Sequence, residues 1–132
     1  MLHPNQFQVN EAWIAFKLND EPIHTELDGD IDFLALMDAA SCFILSSVPV
    51  DAKAAEPTQI ESRQLLKEGR SHKKQLPRTL FIPIEQPAHL LAAEAERVGI
   101  KVVRVEEYQL LIFIGEAREA FRERFGGGGA VQ

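Results

Sequence analysis

The stretch Thr79–Arg104, TLFIPIEQPAHLLAAEAERVGIKVVR, constrains the fold more than any other part of this chain. Leu80, Phe81, Ile82 and Ile84 form an apolar run long enough for a strand and too short for a helix. Pro83 donates no ladder hydrogen bond, which suits a strand end, an edge or a bulge. Pro87 fits the first helical position, where a missing N–H costs nothing. Ala88, Leu91, Ala92, Ala95 and Val98 then make an apolar stripe at helical spacing, with Glu94, Glu96 and Arg97 turned to water. Gly99 stands where a left-handed C-cap is needed. The β-branched run Lys101–Val105 is a strand. Strand, helix and strand joined this tightly form a βαβ unit with parallel strands and a right-handed crossover. Ligands of such sheets lie beyond the carboxyl ends of the strands, and Glu85 is the polar residue at that exit.

The rest of the chain supplies more of the same layered fold. Glu11–Leu18 is moderately alternating and reads as a strand with one buried face, helix being the alternative. Asn19–Pro22 is a turn, and Ile23–Leu27 is either a short edge strand or loop. Phe33–Met37 and Cys42–Val48 are apolar runs across four small or polar residues, a β-hairpin that Pro49 ends. Thr58 with Glu61 makes a capping box for a helix Gln59–Glu68, with Ile60, Leu65 and Leu66 as its apolar side and Gly69 as its C′ residue. Arg70–Pro77 reads as an exposed basic loop. Over Glu106–Phe125, one helix is favoured over a strand Leu110–Ile114 followed by a helix, since Gly115 costs a helix only about 1 kcal/mol. Residues 1–125 make one domain, and the Gly-rich stretch 126–132 reads as a flexible tail.

Composition excludes several classes of function. A net charge of −6 argues against broad binding to nucleic acid or anionic membranes. Met1–Phe7 has neither the basic nor the apolar region of a signal peptide, and no apolar run approaches the roughly 18 residues that span a bilayer. Cys42, the single cysteine, offers no disulfide or zinc framework and reads as a buried thiol. A cytoplasmic protein without a membrane role is the simplest expectation. No Walker, Rossmann or G-x-S-x-G motif is present, and no cofactor is called for. Asp28, Gly29, Asp30 and Asp32 fail the EF-hand pattern, because Ala39 stands where the bidentate glutamate belongs.

Charge is unevenly spread. Arg63–Arg78 holds six basic residues against one acid, Glu68, so the remainder is more acidic than the whole. Arg70, Lys73, Lys74 and Arg78 are the candidate partner-binding residues, suited to phosphate or to an acidic protein surface. His72 lies among them without a visible partner. No aromatic residue is interleaved for base stacking. Glu85 and His89 stand four apart at a helix start, but a metal site would need a third ligand that the sequence does not name.

Taken together, the chain is an α/β domain with a mixed sheet and the order βββαβαβα. That order resembles the ribonuclease-H-like fold. FLALMDAASCFIL looks like the second and third strands of a retroviral-integrase or transposase core, with Asp38 in the connecting turn, and TLFIPIEQPAHLLAAEAERVGI looks like its fourth strand and following helix. A small bacterial family of uncharacterised domains has a similar course. The resemblance implies phosphoryl transfer by two magnesium ions, which need at least three converging acids. Its first aspartate lies within the first strand, where this chain has Ala15, Phe16 and Lys17. Glu85 stands where the second acid follows the fourth strand, and Glu116, Glu119 or Glu123 would have to give the third. Asp38 matches a turn residue, so a nuclease site would need Asp32 or Asp38 as substitute. The expectation is a non-catalytic domain that binds a protein, its own kind included. The alternatives are a divergent nuclease using Glu85 with Asp32 or Asp38, and nucleic-acid binding through residues 63–78.

Overall fold

The computed structural model describes residues 1–126; most of the Gly-rich tail expected at 126–132 lies outside the described residues. Six strands form one mixed sheet: β1 Ala12–Lys17, β2 Ile23–Thr25, β3 Gly29–Asp38, β4 Ile44–Asp51, β5 Thr79–Pro83 and β6 Lys101–Val105. The order β2-β3-β1-β5-β6 runs across it, with β4 on the other side of β3. Strands β1, β5 and β6 are parallel, while β3 runs antiparallel to β1, β2 and β4. The short edge strand left open by the sequence is therefore formed, and β3 starts earlier than its apolar run, drawing Asp30 and Asp32 into the ladder.

Helices α1 Gln59–Lys73 and α2 His89–Arg97 cover one face, and α3 Leu111–Phe121 covers the other. β1 is buried on both faces rather than one. Trp13 and Ala15 pack among Leu36, Leu65, Leu80 and Leu91. Ile14 and Phe16 pack among Met37, Leu110, Phe113 and Ile114. A central strand covered by helices on both sides has no solvent face, so its weak alternation is physical.

Three boundaries differ from the sequence reading. Pro49 lies inside β4, opposite Phe33, where an edge strand tolerates its missing donor. Pro87 precedes the helix, and Ala88 is the N-cap without a side-chain bond. α1 runs four residues past Gly69 to Lys73, so half of the supposed basic loop is helix. Gly69 is buried in the helix body because Trp13 and Leu36 press on it there. Ile60, expected in the core, is exposed. Gly99 does take its left-handed turn, at φ +89°. The last segment is helical throughout: a 3-10 turn Glu107–Leu110, then α3, then a π turn Arg122–Gly126.

Glu94 does not face water. It is 5% exposed, and accepts hydrogen bonds from Arg63 (3.0 Å), Arg97 (3.1 Å) and Gln59 (3.1 Å). The Arg63 bond, with help from Gln59 and Arg97, holds its carboxyl below the usual range against the opposing cost of desolvation.

Candidate functional site

Two regions at opposite edges of the sheet collect the residues of interest. The first is a cavity of about 430 Å³ beyond the carboxyl ends of β1 and β5, where open α/β sheets place their ligands. Lys17, Asp20, Asp32, Asp51, Glu56, Glu85, Glu107 and Arg118 line it.

Most of these groups hold the fold. Arg118 donates through Nε to the Lys17 carbonyl (2.9 Å) and through both terminal nitrogens to Glu107 (3.2 Å each). Its side chain is only 15% exposed. Glu85 accepts the Glu107 backbone N–H at 2.9 Å, so it caps the start of the last helical segment. Asp32 accepts from the Asn19 amide at 3.0 Å. Arg122 donates to Asp20 at 2.7 Å, and that bond lowers the Asp20 pKa. Glu56 accepts the Leu90 N–H at 2.7 Å, supplying from a distant loop the cap that Ala88 cannot give α2. His89 faces Glu56 at 3.5 Å, not Glu85.

Of the acids that a nuclease reading requires, Asp32 and Glu85 line this one cavity, while Asp38, Glu116 and Glu123 lie elsewhere. Asp38 lies at the far end of the sheet, opposite Trp13 at the start of β1. It is fully buried and accepts from the Asn10 backbone N–H (2.7 Å), the Ser41 backbone N–H (3.0 Å) and the Ser41 hydroxyl (2.7 Å). Glu116 and Glu123 line a separate hollow beside Cys42 on the α3 face. Among the described residues, no three His, Cys, Asp or Glu side chains converge closely enough to hold a metal ion. The donor set therefore does not fit a two-metal centre. The strand end brings Lys17 to the mouth, and the last helix brings Arg118 instead of an acid.

Sequence reasoning missed Arg118. No local signal marks it: eleven residues of continuous helix would hold it about 16 Å from Glu107, and the contact depends on the change from the 3-10 turn to α3 between them.

The second region is the basic edge at the opposite end. The last turn of α1 carries Arg70, His72 and Lys73, and Lys74 ends the helix in a left-handed conformation. Gln75 accepts from Asn10 through its carbonyl, and the Arg78 N–H binds the Glu11 carbonyl, which ties this segment to the start of β1. Arg70, Lys74 and Arg78 are exposed and Lys73 is half-buried. None of the four forms an ion pair among the described residues, whereas Arg63, Arg97, Arg118 and Arg122 all do. The fold also adds a ring that the segment itself lacks. Phe43, from the β3–β4 turn, is 50% exposed and stacks on His72 with ring centres 5.1 Å apart. Next to it, Cys42 is half-buried rather than fully enclosed, and burial pushes its thiol pKa up. That makes it a poor nucleophile.

No family model matches the chain, and no curated protein does. Among solved structures it is similar to the catalytic core domain of BIV integrase, with a TM-score of 0.58 and 12% identity. The likeness covers 93% of this chain and 74% of that one. At that identity it speaks for fold alone: the domain has the ribonuclease-H-like α/β architecture.

Proposed function

We propose that this ribonuclease-H-like domain is a non-catalytic interaction module that engages a protein partner through Arg70, Lys73, Lys74 and Arg78. One observation carries the reading: the cavity at the sheet's carboxyl end sets two cations among its carboxylates, and no three of the acids described converge to hold a metal ion. Lys17 lines the cavity where the resemblance implies an aspartate, and Arg118 is locked there by Glu107 and by the Lys17 carbonyl. Two divalent ions need at least three acids around them, and a guanidinium in their midst repels them. The free cations of the opposite edge support a binding role, because they are not used in holding the fold.

The test is incubation with DNA and RNA in magnesium or manganese, alongside thermal melting. No cleavage is expected, and no rise in melting temperature at millimolar metal, since only a ligand of the native state raises it. Cleavage that disappears in Glu85→Ala or Asp32→Ala would overturn the proposal.

A nucleic-acid ligand is the second reading of the basic edge, favoured by Phe43 beside the cations. It requires affinity that falls steeply with salt, and loss of that affinity in Lys73→Glu/Lys74→Glu. One ring is a short platform for a strand of bases, which is why a protein partner leads.

A further inference from the structure

The basic edge has a complementary surface on the same chain. The β2–β3 turn consists of Glu26, Leu27 and Asp28. Leu27 is 95% exposed, the highest exposure of any large apolar side chain described. The turn is well built: the Thr25 hydroxyl accepts the Asp28 N–H (3.0 Å) and donates to the Gly29 carbonyl (2.7 Å), and Gly29 sits at φ +72°. It therefore presents an apolar knob between two carboxylates on a fixed support. The basic edge offers the reverse: an apolar ring, Phe43, stacked on His72 of the same helix end that carries Arg70, Lys73 and Lys74.

These two surfaces cannot meet within one molecule. β3 separates them: the turn precedes Gly29, and Phe43 follows Asp38 at the other end. A ten-residue strand is about 30 Å long. Only a second molecule can bring them together. We infer that the basic edge docks the Glu26–Asp28 turn of a second copy of this chain, with Leu27 against Phe43 and the two carboxylates toward Arg70, Lys73 and Lys74. The contact is heterologous, head to tail, so it propagates into a chain or closes into a ring. It buries a small area and joins exposed charges, so it is weak and salt-sensitive. The inference rests on the proposed binding role of the basic edge and names its occupant.

Sedimentation velocity tests it. At low salt the weight-average sedimentation coefficient of the natural chain rises with concentration, and high salt returns it to the monomer value. Two variants each abolish the rise: Lys73→Glu/Lys74→Glu, and Glu26→Lys/Asp28→Lys. Mixing these two restores it, because each then carries the charge that the other's intact surface needs. Leu27→Ser weakens the rise without changing any charge. Glu26, Leu27, Asp28 and Lys74 are exposed and Lys73 is half-buried, and melting curves check that each variant is folded. A natural chain that stays monomeric at low salt would overturn the inference. So would assembly that survives either charge reversal, or a mixture that stays monomeric. An oligonucleotide that binds the natural chain and is lost with Lys73→Glu/Lys74→Glu would assign the edge to nucleic acid instead. Metal-dependent cleavage would sink the non-catalytic reading whatever the sedimentation shows, so the two failures are separable.

Discussion

Asp38 shows how a residue's role depends on where its donors come from. A buried carboxylate is costly unless hydrogen bonds satisfy it. Here three do, from Asn10 and Ser41, and Asn10 in turn accepts the Trp13 indole N–H at 2.7 Å. Asp38→Ala leaves those donors without an acceptor and should cost about 2–4 kcal/mol of unfolding free energy by urea titration. Glu94 is the second such residue. Its pKa is lowered in the folded chain, so its stabilising effect is present above the unfolded carboxylate range and is lost as pH falls through the lowered value. Glu94→Gln should therefore be less stable than the natural chain at neutral pH. The gap should close on acidification, measured as melting temperature against pH.

At the scale of elements, Gly69 marks the closest approach of α1 to the sheet. A Cβ there would lie 2.6 Å from Leu36 Cδ2 and 3.2 Å from two atoms of the Trp13 ring. The Trp13 ring is rigid and fully enclosed, so it cannot yield cheaply. Alanine favours a helix over glycine by about 1 kcal/mol, while overpacking costs about 1–3 kcal/mol. Gly69→Ala should lower stability by about 1 kcal/mol despite its better propensity, as denaturant unfolding would register. The same close approach explains why the helix continues through a residue that, by sequence, looks like its end. The propensity of one glycine is small beside the contacts of a packed face.

At the scale of the molecule, β1 joins both cores, and acid and base are drawn to opposite ends. Trp13, the single tryptophan, is fully buried on the α1–α2 face, while Ile14 and Phe16 serve the α3 face. Neither layer can lose its packing without exposing this strand. Trp13 fluorescence and far-ultraviolet circular dichroism should therefore report one coincident unfolding transition. Leu65→Ala on one face and Phe113→Ala on the other should each lower that same midpoint, at a cost of about 2–5 kcal/mol of unfolding free energy. No helix among the described residues is long and apolar enough to cross a membrane.

Local pattern alone determined much of this. The parallel pair β5 and β6 with α2 between them follows from Thr79–Arg104, because short β-branched runs and a Gly-ended amphipathic stretch have few other uses. The capping box at Thr58 is present as expected, with Glu61 returning a bond to the Thr58 N–H. The helical character of residues 107–121 follows from spacing as well. What periodicity does not encode is which distant groups meet. Glu94 has the helical position of a water-facing acid, and is buried because Arg63 and Gln59 arrive from α1. Gly69 has the local signal of a helix end, and is overruled by Trp13 and Leu36. Arg118 looks like one more surface cation, until Lys17 and Glu107 close around it at the sheet's edge. The stacking of Phe43 on His72, and the placing of the Glu26–Asp28 turn at the opposite end, depend on contacts across dozens of residues. Such contacts are decided by the packing of the whole sheet, and local preference carries no record of them.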